Sequence, residues 1–355
     1  MTDFRVVIAP DSFKGTIDAK AAAEAIAAGW RAVRPDDEIR CLPLADGGEG
    51  TLAALMSRGG TLVQARVQDP IGRPHDAAWA LLPDGTAVVE LAAASGLPLL
   101  DSPAPLTAGT FGFGQLLREA ADHPGVERIV ATLGGSASTD GGVGALTALG
   151  AVFRVVGGLV VEADLSALVP APDVVCLVDV DTPLLGPSGA ARRFGPQKGA
   201  GRADVEMLEA RLERLADVLG GHRDAPGSGA AGGTAFGLAT AWGARLVPGA
   251  PHVADAVGLP AAVEWADLLI TGEGRLDEQS WSGKVVGNAI ASAGQVALVV
   301  GSRATEVPGG IDCVTLTDLA GDVRQAMRDP ARWLAEAGEV LAGRITGARA
   351  GARRR

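Results

Sequence analysis

The chain has 355 residues, 47% of them hydrophobic and 21% charged, which excludes a disordered chain and exceeds the size at which one core usually stops growing. Two domains are therefore expected. The net charge of -11 argues against a nucleic-acid partner, which needs a basic face, and the tail arginines Arg349, Arg353, Arg354 and Arg355 read as a solvated end.

In chain order, residues 5–9 (Arg-Val-Val-Ile-Ala) predict a buried strand. Residues 18–33 predict a helix, capped by Asp18 and blocked by Pro35, and residues 39–44 a second strand. Strand, helix and strand in that order predict a parallel sheet with crossover helices. From 60 to 91 the runs 62–67, 77–82 and 86–91 are separated by Pro, Gly and Asp, which predicts hairpins or a mixed sheet and a change of domain. Parallel-type strands resume at 129–133, 174–178, 268–271, 297–300 and 313–316, with helices at 110–122, 202–219 and 331–345. The glycine-rich stretch 220–233 is expected to be exposed. The fold class is α/β. Residues 1–62 with 265–355 are expected to form a discontinuous, open, mainly parallel Rossmann-like domain, with 63–264 as an inserted second α/β domain.

Cys41, Cys176 and Cys313 lie far apart inside apolar runs and are expected to be buried, reduced thiols. His75, His123, His222 and His252 show no metal-ligand spacing. The N-terminus runs straight into a strand without a cleavable leader, and no apolar run approaches the roughly 20 residues of a membrane span. A cytoplasmic protein with no membrane partner is expected; homo-oligomerisation is left open.

In open α/β sheets ligands bind beyond the carboxyl ends of the strands, so the residues at strand exits carry the chemistry. Five exits combine glycine with charge: Pro10-Asp11-Ser12-Phe13-Lys14-Gly15, Asp46-Gly47-Gly48-Glu49-Gly50, Gly134-Gly135-Ser136-Ala137-Ser138-Thr139-Asp140-Gly141-Gly142, Asp179-Val180-Asp181-Thr182-Pro183, and Thr271-Gly272-Glu273-Gly274-Arg275-Leu276-Asp277. Glycines let backbone N–H groups approach an anion, and carboxylates suit Mg2+ coordination or proton abstraction. The 134–142 loop is the best phosphate-loop candidate, because a helix pattern over 143–149 follows it. Phosphoryl transfer fits this mixture. GxxxxGK[ST], the protein-kinase signatures and GxSxG are all missing, and Gly283-Lys284 lacks the flanks of a P-loop. Asp179-Val180-Asp181-Thr182 resembles the haloacid dehalogenase phosphatase motif DxDx[TV], but Pro183 stands where that motif has its last residue.

Taken in order, these loops resemble the type I glycerate kinase family, together with Phe194-Gly195-Pro196-Gln197-Lys198-Gly199-Ala200 and Gly229-Ala230-Ala231-Gly232-Gly233. The likeness spans residues 4–345. It departs in apparent shortenings at 155–168 and 302–311, and in Ser138-Thr139 where Thr-Asn is common. The resemblance implies two α/β domains with a cleft between them, and transfer of the ATP γ-phosphoryl group to D-glycerate with Mg2+, 2-phosphoglycerate being favoured over the 3-phosphate. It also implies roles. Asp181 or Asp179 would be the general base, and Lys198 and Lys14 would be cations for phosphate or carboxylate. Asp11, Ser12, Asp46 and Arg275 would contact substrate, while Gly134, Gly135, Ser136, Ser138 and Glu273 would contact the nucleotide. Asp46, Glu49 and Asp277 would be metal ligands. Two alternatives stay open: a metal-dependent phosphatase, and a non-catalytic sugar-acid-binding protein.

Overall fold

The computed structural model describes residues 4–281 and 284–352, excepting the side chains of 346–352. Gly283, the side chain of Arg349, and Arg353, Arg354 and Arg355 lie outside the described residues. The strands are β1 (Arg5–Ile8), β2 (Glu38–Cys41), β3 (Thr61–Gln68), β4 (Pro74–Leu81), β5 (Thr86–Glu90) and β6 (Arg128–Thr132). They continue with β7 (Val152–Val156), β8 (Leu159–Asp164), β9 (Asp173–Val178), β10 (Arg245–Pro248), β11 (Leu268–Leu276), β12 (Val296–Arg303) and β13 (Asp312–Thr315).

The chain forms two compact units. One holds the described residues up to Asp46, Ala53–Arg58 and the chain from Ala250 onward; the other holds Gly47–Leu52 and Gly59–Gly249.

The first unit is built on a five-stranded, wholly parallel sheet of order β13-β12-β11-β1-β2. β1 runs to β2 on one side while β11, β12 and β13 step away on the other, so the chain changes direction between β1 and β11. Helix Ala19–Val33 starts at Asp18, whose carboxylate accepts from the Ala21 N–H at 2.8 Å. It lies against helix Pro330–Ala352, and a Cβ on Gly29 would fall 1.7 Å from the Ala335 carbonyl oxygen. Only a glycine there lets the two backbones approach so closely. The core joins Val6, Ile8, Ile26, Trp30, Ile270, Val299 and Leu334.

The second unit has a six-stranded sheet of order β10-β9-β6-β5-β4-β3, parallel from β10 to β5 and antiparallel from β5 to β3. Trp79, Phe113, Leu116, Leu117, Ile129 and Leu146 fill its core. β7 and β8 form a separate hairpin.

Three expectations need correcting. Strand β11 does not end at 271 but runs to Leu276, because Glu273 and Arg275 pair in register with Val300 and Ser302 of β12. Cys176 is buried, but Cys41 and Cys313, on the outer strands β2 and β13, are only half-buried. The stretch 220–233 is exposed only in its first half, and Gly227, Gly229, Gly232 and Gly233 are buried. Ala231, Gly232 and Gly233 take left-handed backbone angles, and a Cβ on Gly232 would sit 2.2 Å from the Ser138 carbonyl oxygen. Close backbone packing, rather than a solvated loop, requires glycine there.

Candidate functional site

In the first unit the carboxyl ends of the parallel strands open into a cavity of about 370 Å³. The exit of β1 supplies Asp11, Ser12 and Lys14, and the exit of β2 supplies Asp46. Glu273, Gly274 and Arg275 come from β11, Gly301 and Ser302 from β12, and Lys284 from the turn before helix Val285–Ala291. Residues 273 and 275 are two apart on one strand and so share a face.

Asp11 is held at the switch between β1 and β11: its N–H donates to the Gly272 carbonyl at 2.8 Å, and the Thr271 hydroxyl ties Ala9 to the same strand. It is only 8% exposed. Burial, reinforced by the charge of Asp46, pushes its carboxyl up to about 7. Lys14 pairs with Asp46 at 3.7 Å. Burial also raises the Glu273 carboxyl, and its Oε1 is buried with no hydrogen-bond partner. Asp11, Asp46 and Glu273 are thus gathered electrostatically, whereas Asp277 lies outside the cavity lining and braces the next turn, its Oδ1 accepting from the Gln279 N–H. Glu49 belongs to the other unit and is exposed. Among the described residues no group of three or more His, Cys, Asp and Glu side chains is arranged to hold a metal ion.

In the second unit the 134–142 loop joins β6 to helix Val143–Ala148, which has six residues. Lys198, only 3% exposed, sits on a short 3-10 turn and donates from Nζ to the Ser136 hydroxyl at 2.8 Å and the Ser138 carbonyl at 2.5 Å. Burial lowers its ammonium to about 8, against the opposing charge of Asp140. The hydroxyls of Ser138 and Thr139 are buried without partners beside it. Lys198 is thus a buried cation hydrogen-bonded to neutral groups beside unpartnered hydroxyls, an arrangement chemically suited to binding an anion. Gly134 and Gly135 stand at the start of this loop.

Asp140 shapes the loop. It accepts from the Thr110 N–H and hydroxyl through Oδ2, and from the N–H groups of Gly142 and Gly144. Asp140 thereby satisfies backbone N–H groups at the start of the helix that follows the loop. Asp179 and Asp181 follow β9 and are exposed; Thr182 is buried, its hydroxyl accepting from Arg193 at 2.9 Å and its carbonyl from the Gly229 N–H. Asp140, Thr110 and Lys284 escaped the sequence reading. The Asp140-Gly141-Gly142 turn was a usable signal for the first; Thr110 lies 30 residues from Asp140, and Lys284 reaches the cavity from the turn before the next helix, outside the 271–277 stretch.

The model of the glycerate kinase family matches residues 6–346. The chain is 41% identical over 305 residues to a protein named glycerate kinase from Bacillus subtilis strain 168, covering 79% of each chain. It is 40% identical over 304 residues to one named glycerate 2-kinase from Escherichia coli K12, covering 79% of this chain and 80% of that one. A crystal structure of a candidate glycerate kinase 2 from Salmonella typhimurium LT2 superposes with a TM-score of 0.84 at 36% identity, over 98% of this chain and 100% of that one.

Proposed function

Because this chain belongs to the glycerate kinase family, we propose that it transfers the γ-phosphoryl group of ATP to the 2-hydroxyl of D-glycerate, with Mg2+. It is an enzyme, a kinase acting on glycerate. The 2-position is supported by the name of the Escherichia coli relative.

The observation that carries the proposal is the buried Asp11 raised to about 7 beside Asp46, in a cavity that also holds Lys14, Arg275 and Lys284. Two carboxylates this close repel each other unless a proton or a cation intervenes. Mg2+ is commonly held by one or two carboxylates completed by water and phosphate oxygens, so Asp11 and Asp46 fit it without a third acid. When bound, the ion supplies charge neutralisation on the transferring phosphate. Lys14, Arg275 and the Ser12 hydroxyl hold anionic oxygens in the first unit. In the second, Lys198, Ser136, Ser138 and the backbone of Gly134 and Gly135 do the same. Asp181, or its neighbour Asp179, takes the proton from the glycerate hydroxyl, and both are exposed to the water that can receive it. Glu273 contributes its idle Oε1 at the edge of the acidic pair, and Glu49 and Asp277 remain outside it.

The net charge of -11 supports a reaction on small molecules with no nucleic-acid partner, which we place in the cytoplasm. Among the described residues no helix is long and apolar enough to cross a membrane.

The test is ADP release from Mg-ATP with D-glycerate, the product being identified by phosphorus NMR. Turnover to 2-phosphoglycerate is expected. The 3-phosphate would correct the position alone, and no ADP from folded protein would overturn the proposal.

A further inference from the structure

The cavity of the first unit is not polar throughout. Its far wall is made by Leu316 after β13 and by Val323, Ala326 and Met327 of helix Val323–Arg328. Val323 and Met327, one helical turn apart, are 53% and 54% exposed, so two large apolar side chains on a six-residue helix stand half in water beside the same cavity. The strand order makes the layout directional. Asp46 and Lys14 follow β2 and β1 and Arg275 lies near the end of β11, whereas Leu316 follows β13 at the far edge of the sheet. At the usual strand spacing, β1 and β13 are about 14 Å apart. An elongated ligand with an apolar end and an anionic end fits that layout. Glycerate, three carbons bearing a carboxylate and two hydroxyls, has nothing to place against the apolar wall.

We propose that this wall is a nucleobase slot: the base of the nucleotide lies against Leu316, Val323, Ala326 and Met327, and its phosphates extend toward Arg275 and Lys14. Ser302 and Thr317 line the same cavity and supply hydroxyls for the polar edge of the base. The glycerate contacts suggested for Ser12, Lys14 and Arg275 become phosphate contacts. The slot rests on the nucleotide-dependent reading above.

The experiment is calorimetric titration of the full chain with Mg-ADP and, separately, with Mg-pyrophosphate, in wild type, Val323→Glu and Met327→Glu. Each variant is expected to weaken ADP about tenfold, to leave pyrophosphate within about twofold, and to raise KM for ATP but not for D-glycerate. Both side chains are half in solvent, and Val323→Ser and Met327→Gln serve as milder versions should folding suffer. Unchanged ADP affinity in variants of an active enzyme overturns the slot alone. So does a rise confined to the KM for D-glycerate. A folded wild type that neither binds ADP nor turns over ATP with glycerate overturns the slot together with the function proposed above.

Discussion

Asp11 and Lys198 are buried ionisable side chains of the candidate site whose environments oppose their charged forms, and their titrations affect stability with opposite sign. Asp11 binds its proton up to about pH 7, whereas the unfolded chain releases it near 3.8. The native protein thus holds the extra proton in that window. Its stabilising contribution is complete below pH 3.8 and is lost as pH rises toward 7, on the order of 4 kcal/mol in ligand-free protein. Asp11→Asn should flatten that decline in urea-unfolding measurements across pH 4 to 8, while impairing turnover. A variant with the same pH slope as wild type would show that Asp11 does not titrate there. Lys198 releases its proton near 8 rather than 10.5. The folded ammonium therefore costs stability below pH 8, a cost that fades between 8 and 10.5. Its partners are neutral, so Lys198→Met leaves no orphaned carboxylate. We expect kcat to fall at least about a hundredfold while stability at pH 7 drops by under about 1 kcal/mol. A loss of several kcal/mol would make the lysine a structural brace.

At the scale of elements, the 227–233 segment shows how packing decides what a glycine is for. Gly232 and Gly243 both adopt left-handed angles, at φ +64 and +72, yet a Cβ on Gly243 would meet nothing within 4 Å. Alanine at 243 pays backbone strain alone, about 1 kcal/mol, whereas alanine at 232 must also displace the Ser138 carbonyl and should cost at least about 3 kcal/mol in urea unfolding. Since that carbonyl accepts from Lys198, activity should fall with Gly232→Ala and not with Gly243→Ala. Equal costs at both positions would mean the 134–142 loop moves aside freely. The main strands and long helices were legible because buried apolar runs and helical periodicity are local signals: helix 202–219 and strands β5, β6 and β9 lie where the pattern puts them. The β7–β8 hairpin escaped notice, although Gly157-Gly158 between two apolar runs is a hairpin signal. The extension of β11 was hidden because glycine alternates with charge there, and only pairing with β12 makes that stretch a strand.

For the whole molecule, a net charge of -11 would repel a nucleotide and a hydroxy acid alike, and the binding proposed above relies on cations concentrated locally, such as Lys14, Arg275 and Lys284 around one cavity. Mg-ADP at about a hundred times its Kd should stabilise the protein by about 2.7 kcal/mol. If Asp11 and Asp46 hold the metal, the gain at a constant Mg-ADP concentration grows from pH 5 to pH 8, because the bound ion needs the carboxylate that free protein keeps protonated. Thermal unfolding across that range measures it, and a gain independent of pH would remove Asp11 from the metal site.

The sequence by itself determined the α/β class, the parallel opening and the glycine-and-acid strand exits, and the order of those motifs carried the family. All of these are written in runs of under twenty residues. The tertiary structure decided which exits share a cavity. It brought Asp11 to Asp46 and Glu273, set Asp277 aside, buried Lys198 against Ser136, and stood Val323 and Met327 at its rim. The reason is that strand order is set by how crossover helices pack. A parallel sheet joins residues more than 250 positions apart, as with Asp11 and Gly272, through hydrogen bonds that leave no local trace in either segment.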